Sequence, residues 1–238
     1  MKLSDEEIVI RKHYNEIENI WDENDIWHTF THKQINKAIN SLLLPLIHKN
    51  QIILNAGSAN TFYDFENCYI YDCDIAESKL EESKHPIVAS IQNIPLNDHC
   101  IDIVICVGSV INYCDASKVI SEFSRVMKPN SYLLLEFERS NSGEFLISSN
   151  YGKDVFSNYY TYNNQSHKLW MYSEKYISNL LTVYGFEIVK KRRFHILSSV
   201  ISRFKDENYS AKFAKLDNFF KPVSYLLAHN VVFLIKKL

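Results

Sequence analysis

Between Gln51 and Arg139 the chain repeats one order, an apolar run followed by a turn or a helix-length polar stretch and then another apolar run. Ile52-Ile53-Leu54 runs into Asn55-Ala56-Gly57, and Tyr69-Ile70-Tyr71-Asp72-Cys73 ends at Asp74. Ile103-Val104 leads to Val107-Gly108-Ser109, and Leu133-Leu134-Leu135 follows a stretch of helical pattern. Strands separated by helix-length gaps pair through crossovers rather than hairpins, so the order predicts a parallel sheet covered on both faces. We read strands at 51–55, 69–73, 86–89, 102–107 and 131–137, helices near 76–83, 115–127 and 173–184, and closing strands at 186–189 and 230–235. The expected fold is α/β, a doubly wound, mostly parallel seven-stranded sheet. In such sheets ligands bind outside the carboxyl ends of the strands, where Gly57 and Asp74 lie.

A chain of 238 residues with 46% apolar and 23% charged content buries a core without staples. The net charge of −2 gives no electrostatic case for a nucleic-acid partner. Lys190-Lys191-Arg192-Arg193 reads as the solvated edge of a strand. Five cysteines without a C-x-x-C pair predict no metal site and no disulfide framework, in keeping with a cytoplasmic location. The polar Met1–Glu7 stretch is unlike a signal peptide, and no apolar run reaches the ~20 residues of a membrane span, so no membrane partner is expected.

Residues 1–50 read as an N-terminal helical lid. Ser4 and Glu7 form a capping box for a helix running to Ile20, and a second helix spans Thr31 to Ile47 with Pro45 ending or kinking it. Residues 51–238 form the α/β domain, with insertions at about 140–172 and 195–229. The first insertion is dense in aromatic residues and the second carries an amphipathic helix near 206–220; both are expected to cap the strand ends.

Gly57 lets backbone approach a ligand closely, and a carboxylate at Asp74 accepts hydrogen bonds from both hydroxyls of a ribose. Asp74 as a helix N-cap is the plain structural alternative. No G-x-G-x-x-G is present, which counts against a nicotinamide dinucleotide. Taken with Asn93-Ile94-Pro95-Leu96, Ile101-Asp102-Ile103-Val104 and Glu122-Phe123-Ser124-Arg125-Val126-Met127-Lys128-Pro129, the segment 51–139 resembles the class I S-adenosylmethionine-dependent methyltransferases, in particular those acting on small molecules.

The resemblance implies S-adenosylmethionine as cofactor. It places Asn55, Ala56, Gly57 and Ala59 around the methionine end, Asp74 on the ribose, Ile75 and Ile91 on the two faces of the adenine, and Ser90 at its edge. Val107, Gly108 and Ser109 would stand beside the transferable methyl, and Tyr14 would cover the cofactor. Asn55 stands where the family has an acidic residue, and Ala59 where it has a second glycine; alanine there is free of strain only at negative φ. At the fourth strand neither the proline pair of amino-methyltransferases acting on nucleic acids nor the acidic residue of aminopropyltransferases is present. His195 is the expected catalytic base, with Glu138 a further candidate. Trp27, His28, Tyr159, Tyr160, Tyr162 and Trp170 are expected to line the acceptor site. The function expected is methyl transfer by direct in-line displacement to an N, O or S atom of a small molecule. The alternative is a protein that binds S-adenosylmethionine, or scaffolds, without turnover.

Overall fold

The computed structural model describes residues 3–17, 24–162 and 165–238. Seven strands form one sheet in the order β3-β2-β1-β4-β5-β9-β8: β1 (Ile52–Ala56), β2 (Tyr69–Asp74), β3 (Pro86–Val88), β4 (Ile101–Cys106), β5 (Met127–Glu138), β8 (Phe186–Phe194) and β9 (Asn230–Lys237). The first five strands are mutually parallel, and β9 runs antiparallel between β5 and β8. Strand order reverses between β1 and β4, so the chain leaves a crevice at their carboxyl ends. All seven strands read from the sequence are present.

Alternation along the strands builds two apolar layers. Leu54, Val104 and Cys106 face α3 (Ala116–Val126) and α4 (Glu174–Val183) through Val119, Phe123, Ile177 and Leu181. Ile53, Ile103 and Ile105 face the opposite side, against Ile35, Ala38 and Leu43. Period-two alternation with both faces apolar is what a sheet buried on two sides requires.

The capping box at Ser4 and Glu7 forms as expected, but α1 runs Asp5–Glu16 and stops short of the predicted Ile20, because Ile17 is extended with φ −77° and ψ 123°; residues 18–20 lie outside those described. Helix α2 starts earlier than expected, at Ile26, because Asp25 caps it by accepting the His28 amide. It ends at Ala38, passing through a wide turn at Ile39–Leu43 to a short 3-10 segment around Pro45, which has no N–H to continue the ladder. The helix expected near 76–83 is one 3-10 turn, Glu77–Leu80. Asn130 has φ +64° in the Pro129-Asn130 turn, a left-handed position that asparagine tolerates.

Two departures matter for the site. Part of the aromatic insertion is a hairpin, β6 (Val155–Tyr162) against β7 (Gln165–Tyr172), not an irregular cap. The helix expected near 206–220 is a short turn of helix at Glu207–Ala211 followed by a 3-10 helix, Ala214–Val223. No helix among the described residues is long and apolar enough to cross a membrane.

Candidate functional site

The crevice at the ends of β1, β2 and β4 is a cavity roofed by α1. The turn after β1 contributes Asn55, Gly57 and Ala59; β2 contributes Asp74 and Ile75; the segment after β3 contributes Ser90 and Ile91; the turn after β4 contributes Val107 and Gly108. Tyr14 lines it from α1. These are the residues that the sequence reading named. Ala56 and Ser109 are the exceptions: Ala56 packs into the core layer of β1, and Ser109 is buried beside the cavity without lining it.

The turn after β1 leaves no room at Gly57, where a Cβ would stand 2.4 Å from Val110 Cγ1 and φ is +74°. Asn55 does not reach into free space. Its amide donates to the Thr61 carbonyl and to Asp72 Oδ1, both at 2.8 Å, and so closes the loop onto β2. Ala59 has φ +46°, the strained case anticipated for a non-glycine residue here. Its amide donates to Asp74 Oδ2 at 2.9 Å, while Asp74 Oδ1 accepts the Ala76 amide at 2.8 Å. Asp74 therefore closes an Asx turn ahead of the 3-10 turn, whose own N-cap is Ala76 without a side-chain bond, and still faces the cavity. A carboxylate has about four acceptor positions, so these backbone amides leave it capacity for a further donor from the cavity. Burial pushes the Asp74 pKa up, against the pull of these amides.

Sequence reasoning missed much of the lid. Glu7, Ile10 and Tyr14 line the cavity together from α1, and His32 and Ile35 line it from α2. Their spacings of three, four and three put each set on one helical face, a signal present in the sequence. Glu7 also accepts a hydrogen bond from Gln92 Nε2 at 2.8 Å, tying α1 to the segment behind Ile91.

His195 is not at the cavity. It is fully buried, with Nε2 3.0 Å from Thr31 Oγ1 and Nδ1 2.9 Å from Ser198 Oγ. Trp27 stacks on it with centroids 3.8 Å apart. Burial, with His229 nearby, holds it well below the usual histidine pKa. Both ring nitrogens are engaged, one by Thr31 of α2 and one by Ser198 of the second insertion, so His195 is a core histidine and not the base expected. Trp27, also buried, belongs to the same stack rather than to an open acceptor site.

A titratable cluster sits instead at the end of β5. His229 Nδ1 lies 2.9 Å from Glu144 Oε1, and Nε2 lies 3.5 Å from Glu138 Oε2. Tyr160 donates to Glu144 Oε1 at 2.9 Å. His229 is buried, which opposes its charge, but Glu144 and Glu138 outweigh this and hold it protonated well above the ordinary value. Burial raises Glu138, and the hydrogen bond and charge of His229 more than reverse this, so Glu138 stays ionised. His28, whose Nδ1 lies 2.6 Å from Asp25 Oδ2, belongs to the same electrostatic neighbourhood: burial opposes its charge, but Asp25, Glu207 and Glu138 raise its pKa. It stands one helical turn from His32, which lines the cavity. Beneath lies Glu136, accepting from the Gly108 and Ser109 amides at 2.9 and 2.7 Å and from Asn230 Nδ2 at 2.7 Å.

The hairpin divides the predicted aromatic residues between its faces. Tyr160 points inward to Glu144, whereas Tyr159 and Trp170 line a separate surface groove against α1, with Lys168 Nζ 4.3 Å from the Trp170 ring centroid. The side chain of Tyr162 lies outside the described residues. Among those described, no group of three or more His, Cys, Asp or Glu is arranged to hold a metal ion.

A family model for a methyltransferase domain matches residues 55–135. No curated protein matches the chain in sequence. Among solved structures, an S-adenosylmethionine-dependent methyltransferase from Listeria monocytogenes superposes with a TM-score of 0.62 at 10% identity, covering 88% of this chain and 97% of the other. Magnesium protoporphyrin IX methyltransferase from Synechocystis, solved with bound S-adenosylmethionine, gives 0.61 at 11% identity, and geranyl diphosphate C-methyltransferase from Streptomyces coelicolor 0.63 at 8%. Both cover the full length of each chain. At these identities the likeness is one of fold. Residues 55–135 thus match a methyltransferase domain, set in a fold that the chain shares over its length with S-adenosylmethionine-dependent methyltransferases.

Proposed function

We propose that the protein transfers the methyl group of S-adenosylmethionine to an N, O or S atom of a small molecule held between Gly108 and the Glu138–His229–Glu144 cluster. The observation that carries this is one juxtaposition. Gly108 lines the cofactor cavity, and its amide and that of Ser109 bond Glu136, two residues before Glu138 on β5. S-adenosylmethionine, when bound, supplies a sulfonium-activated methyl group that a lone pair displaces directly, the electrons of the broken C–S bond returning to sulfur. The chain's part is alignment and exclusion of water, which supply most of what such a step needs.

In this reading Asp74 accepts the ribose hydroxyls, Ile75 and Ile91 enclose the adenine, Ser90 meets its edge, and Asn55 to Ala59 shape the methionine end. Residues 1–50 act as the lid, through α1 and Tyr14. Glu138, ionised and oriented by His229, receives the proton that an N–H, O–H or S–H acceptor gives up. His28, Tyr160 and Glu144 orient the acceptor. Tyr159 and Trp170, in the groove outside α1, bind an extension of it.

Ala59 favours a second reading. Its methyl-bearing residue at φ +46° leaves a loop less adapted to close approach than glycine would, as in a domain that binds the cofactor without turning it over.

Calorimetric titration with S-adenosylmethionine and S-adenosylhomocysteine tests both. Micromolar binding of each, about −8 kcal/mol, is expected. Asp74→Ala is expected to weaken it by about 1–3 kcal/mol. Glu138→Gln is expected to keep the affinity and lower turnover on an identified acceptor by about 10²-fold or more. Absence of binding at millimolar ligand sinks both readings, and binding without transfer to any of a broad acceptor panel leaves the second.

A further inference from the structure

The second insertion presents an outward face that neither the cofactor cavity nor the acidic cluster explains. Its 3-10 helix, Ala214–Val223, has three residues per turn, so its side chains fall into three straight rows. Ala214, Asp217 and Phe220 make the inner row, all fully or partly buried, and Asp217 Oδ1 accepts the Ile196 and Leu197 amides at 3.0 and 3.2 Å. The other two rows are exposed. One is Lys215, Asn218 and Lys221; the other is Leu216, Phe219 and Pro222. A cationic row thus runs beside an apolar row, with Phe219 79% exposed.

The neighbouring turns extend both characters. Phe204 is 75% exposed, beside Arg203. Lys205 and Lys212 stand 5.9 and 5.5 Å from the centroid of the exposed Tyr209 ring. From Arg203 to Leu226 the exposed charged side chains are five cations against one anion, Asp206, in a chain whose net charge is −2. The segment is fixed, not loose: Arg139 donates to the Ser224, Tyr225 and Ala228 carbonyls, and Asp206 caps the first turn.

We propose that this face docks on the surface of an anionic lipid bilayer, with Phe204, Leu216 and Phe219 entering the interfacial layer and the lysines meeting lipid phosphates. Exposed aromatic and aliphatic side chains interleaved with lysine and arginine are the composition that lies in a membrane interface. The segregation of charge selects the occupant. A purely apolar partner would leave the lysine row unmatched, whereas an anionic headgroup plane above acyl chains matches both rows at once. The absence of a spanning run does not bear on this, because surface docking needs none. Nor does the inference depend on the methyl-transfer reading.

Cosedimentation of the full chain with phosphatidylcholine vesicles, and with vesicles containing phosphatidylglycerol, tests it. The expected result is binding to the anionic vesicles alone, reversed by high salt. Lys215→Glu with Lys221→Glu is expected to weaken it by roughly five-fold or more per cation. Phe219→Ser is expected to weaken it without changing S-adenosylhomocysteine affinity, which reports an intact fold. No binding to anionic vesicles, equal binding to neutral ones, or unchanged binding of both variants overturns the proposal. Lipid-independent self-association that Phe219→Ser abolishes also overturns it and assigns the face to a second copy of the chain.

Discussion

Gly57 has no tolerance for a side chain, since an added Cβ meets Val110 at 2.4 Å on a backbone held at φ +74°. Gly57→Ala is expected to cost roughly 1–3 kcal/mol of stability from overpacking and left-handed strain. It should also weaken S-adenosylhomocysteine binding, as chemical unfolding and calorimetry would show. Glu136 makes a prediction of a different kind. Burial drives its carboxyl up to about 7 from an ordinary 4.5, against the hydrogen bonds from Asn230, Ser109 and Gly108. A carboxyl whose folded pKa is raised contributes stability that is complete below its unfolded pKa and is lost as pH climbs through the folded value. Stability should therefore fall between about pH 4.5 and 7 by an amount on the order of 3 kcal/mol. The slope should be absent in Glu136→Gln, and unfolding free energies of both proteins across that range check it. Asp74 and Gly57 were legible as single residues because strand ends fix their place. His195 was not, since nothing in the sequence tells a histidine that follows a strand into the core from one that faces a ligand. The base proposed above, Glu138, owes its environment to Glu144 and His229, which lie 6 and 91 positions along the chain.

The clearest case at the level of elements is how α4 anchors the second insertion. Glu174, in its first turn, meets Arg193 at 2.6 Å, Lys191 at 3.3 Å and the almost wholly buried Arg139, whose Nε lies 2.9 Å from Glu174 Oε1 as an ion pair. Burial lowers Arg139 to about 10, with Glu174 pulling the other way. Glu174→Ala strands that guanidinium and is expected to cost about 3–5 kcal/mol, read from denaturant unfolding. Elements whose apolar spacing was strong, such as α3, appear where the sequence put them. Weakly patterned elements failed for identifiable reasons. The aromatic alternation of 155–162 was masked by its polar neighbours, so the hairpin went unread. The 206–220 stretch has an amphipathic composition that suits a three-residue period as well as the 3.6-residue one assumed.

For the whole molecule, ligand binding and stability are linked. S-adenosylhomocysteine at a hundred times its dissociation constant should raise the unfolding free energy by about 2.7 kcal/mol, seen as an upward shift in melting temperature. Sheet topology was legible because each strand carries its own apolar run and helix-length spacers force parallel pairing. The acceptor side proposed above was not, because its residues come from a strand end, a hairpin, a lid helix and an insertion that meet only in three dimensions.

Strand β9 follows the other six strands of its sheet in the chain, yet it lies between β5 and β8 and, among the described residues, is the only sheet neighbour of β8. During synthesis, β8 therefore has nowhere to dock until residues 230–237 have left the ribosome. Up to that moment the nascent sheet ends at β5, with an open edge that invites pairing with other chains. Glu136 and Glu138 lie on that edge without Asn230 and His229, so a half-made chain can shape the Asp74 end of its crevice before the acidic end exists.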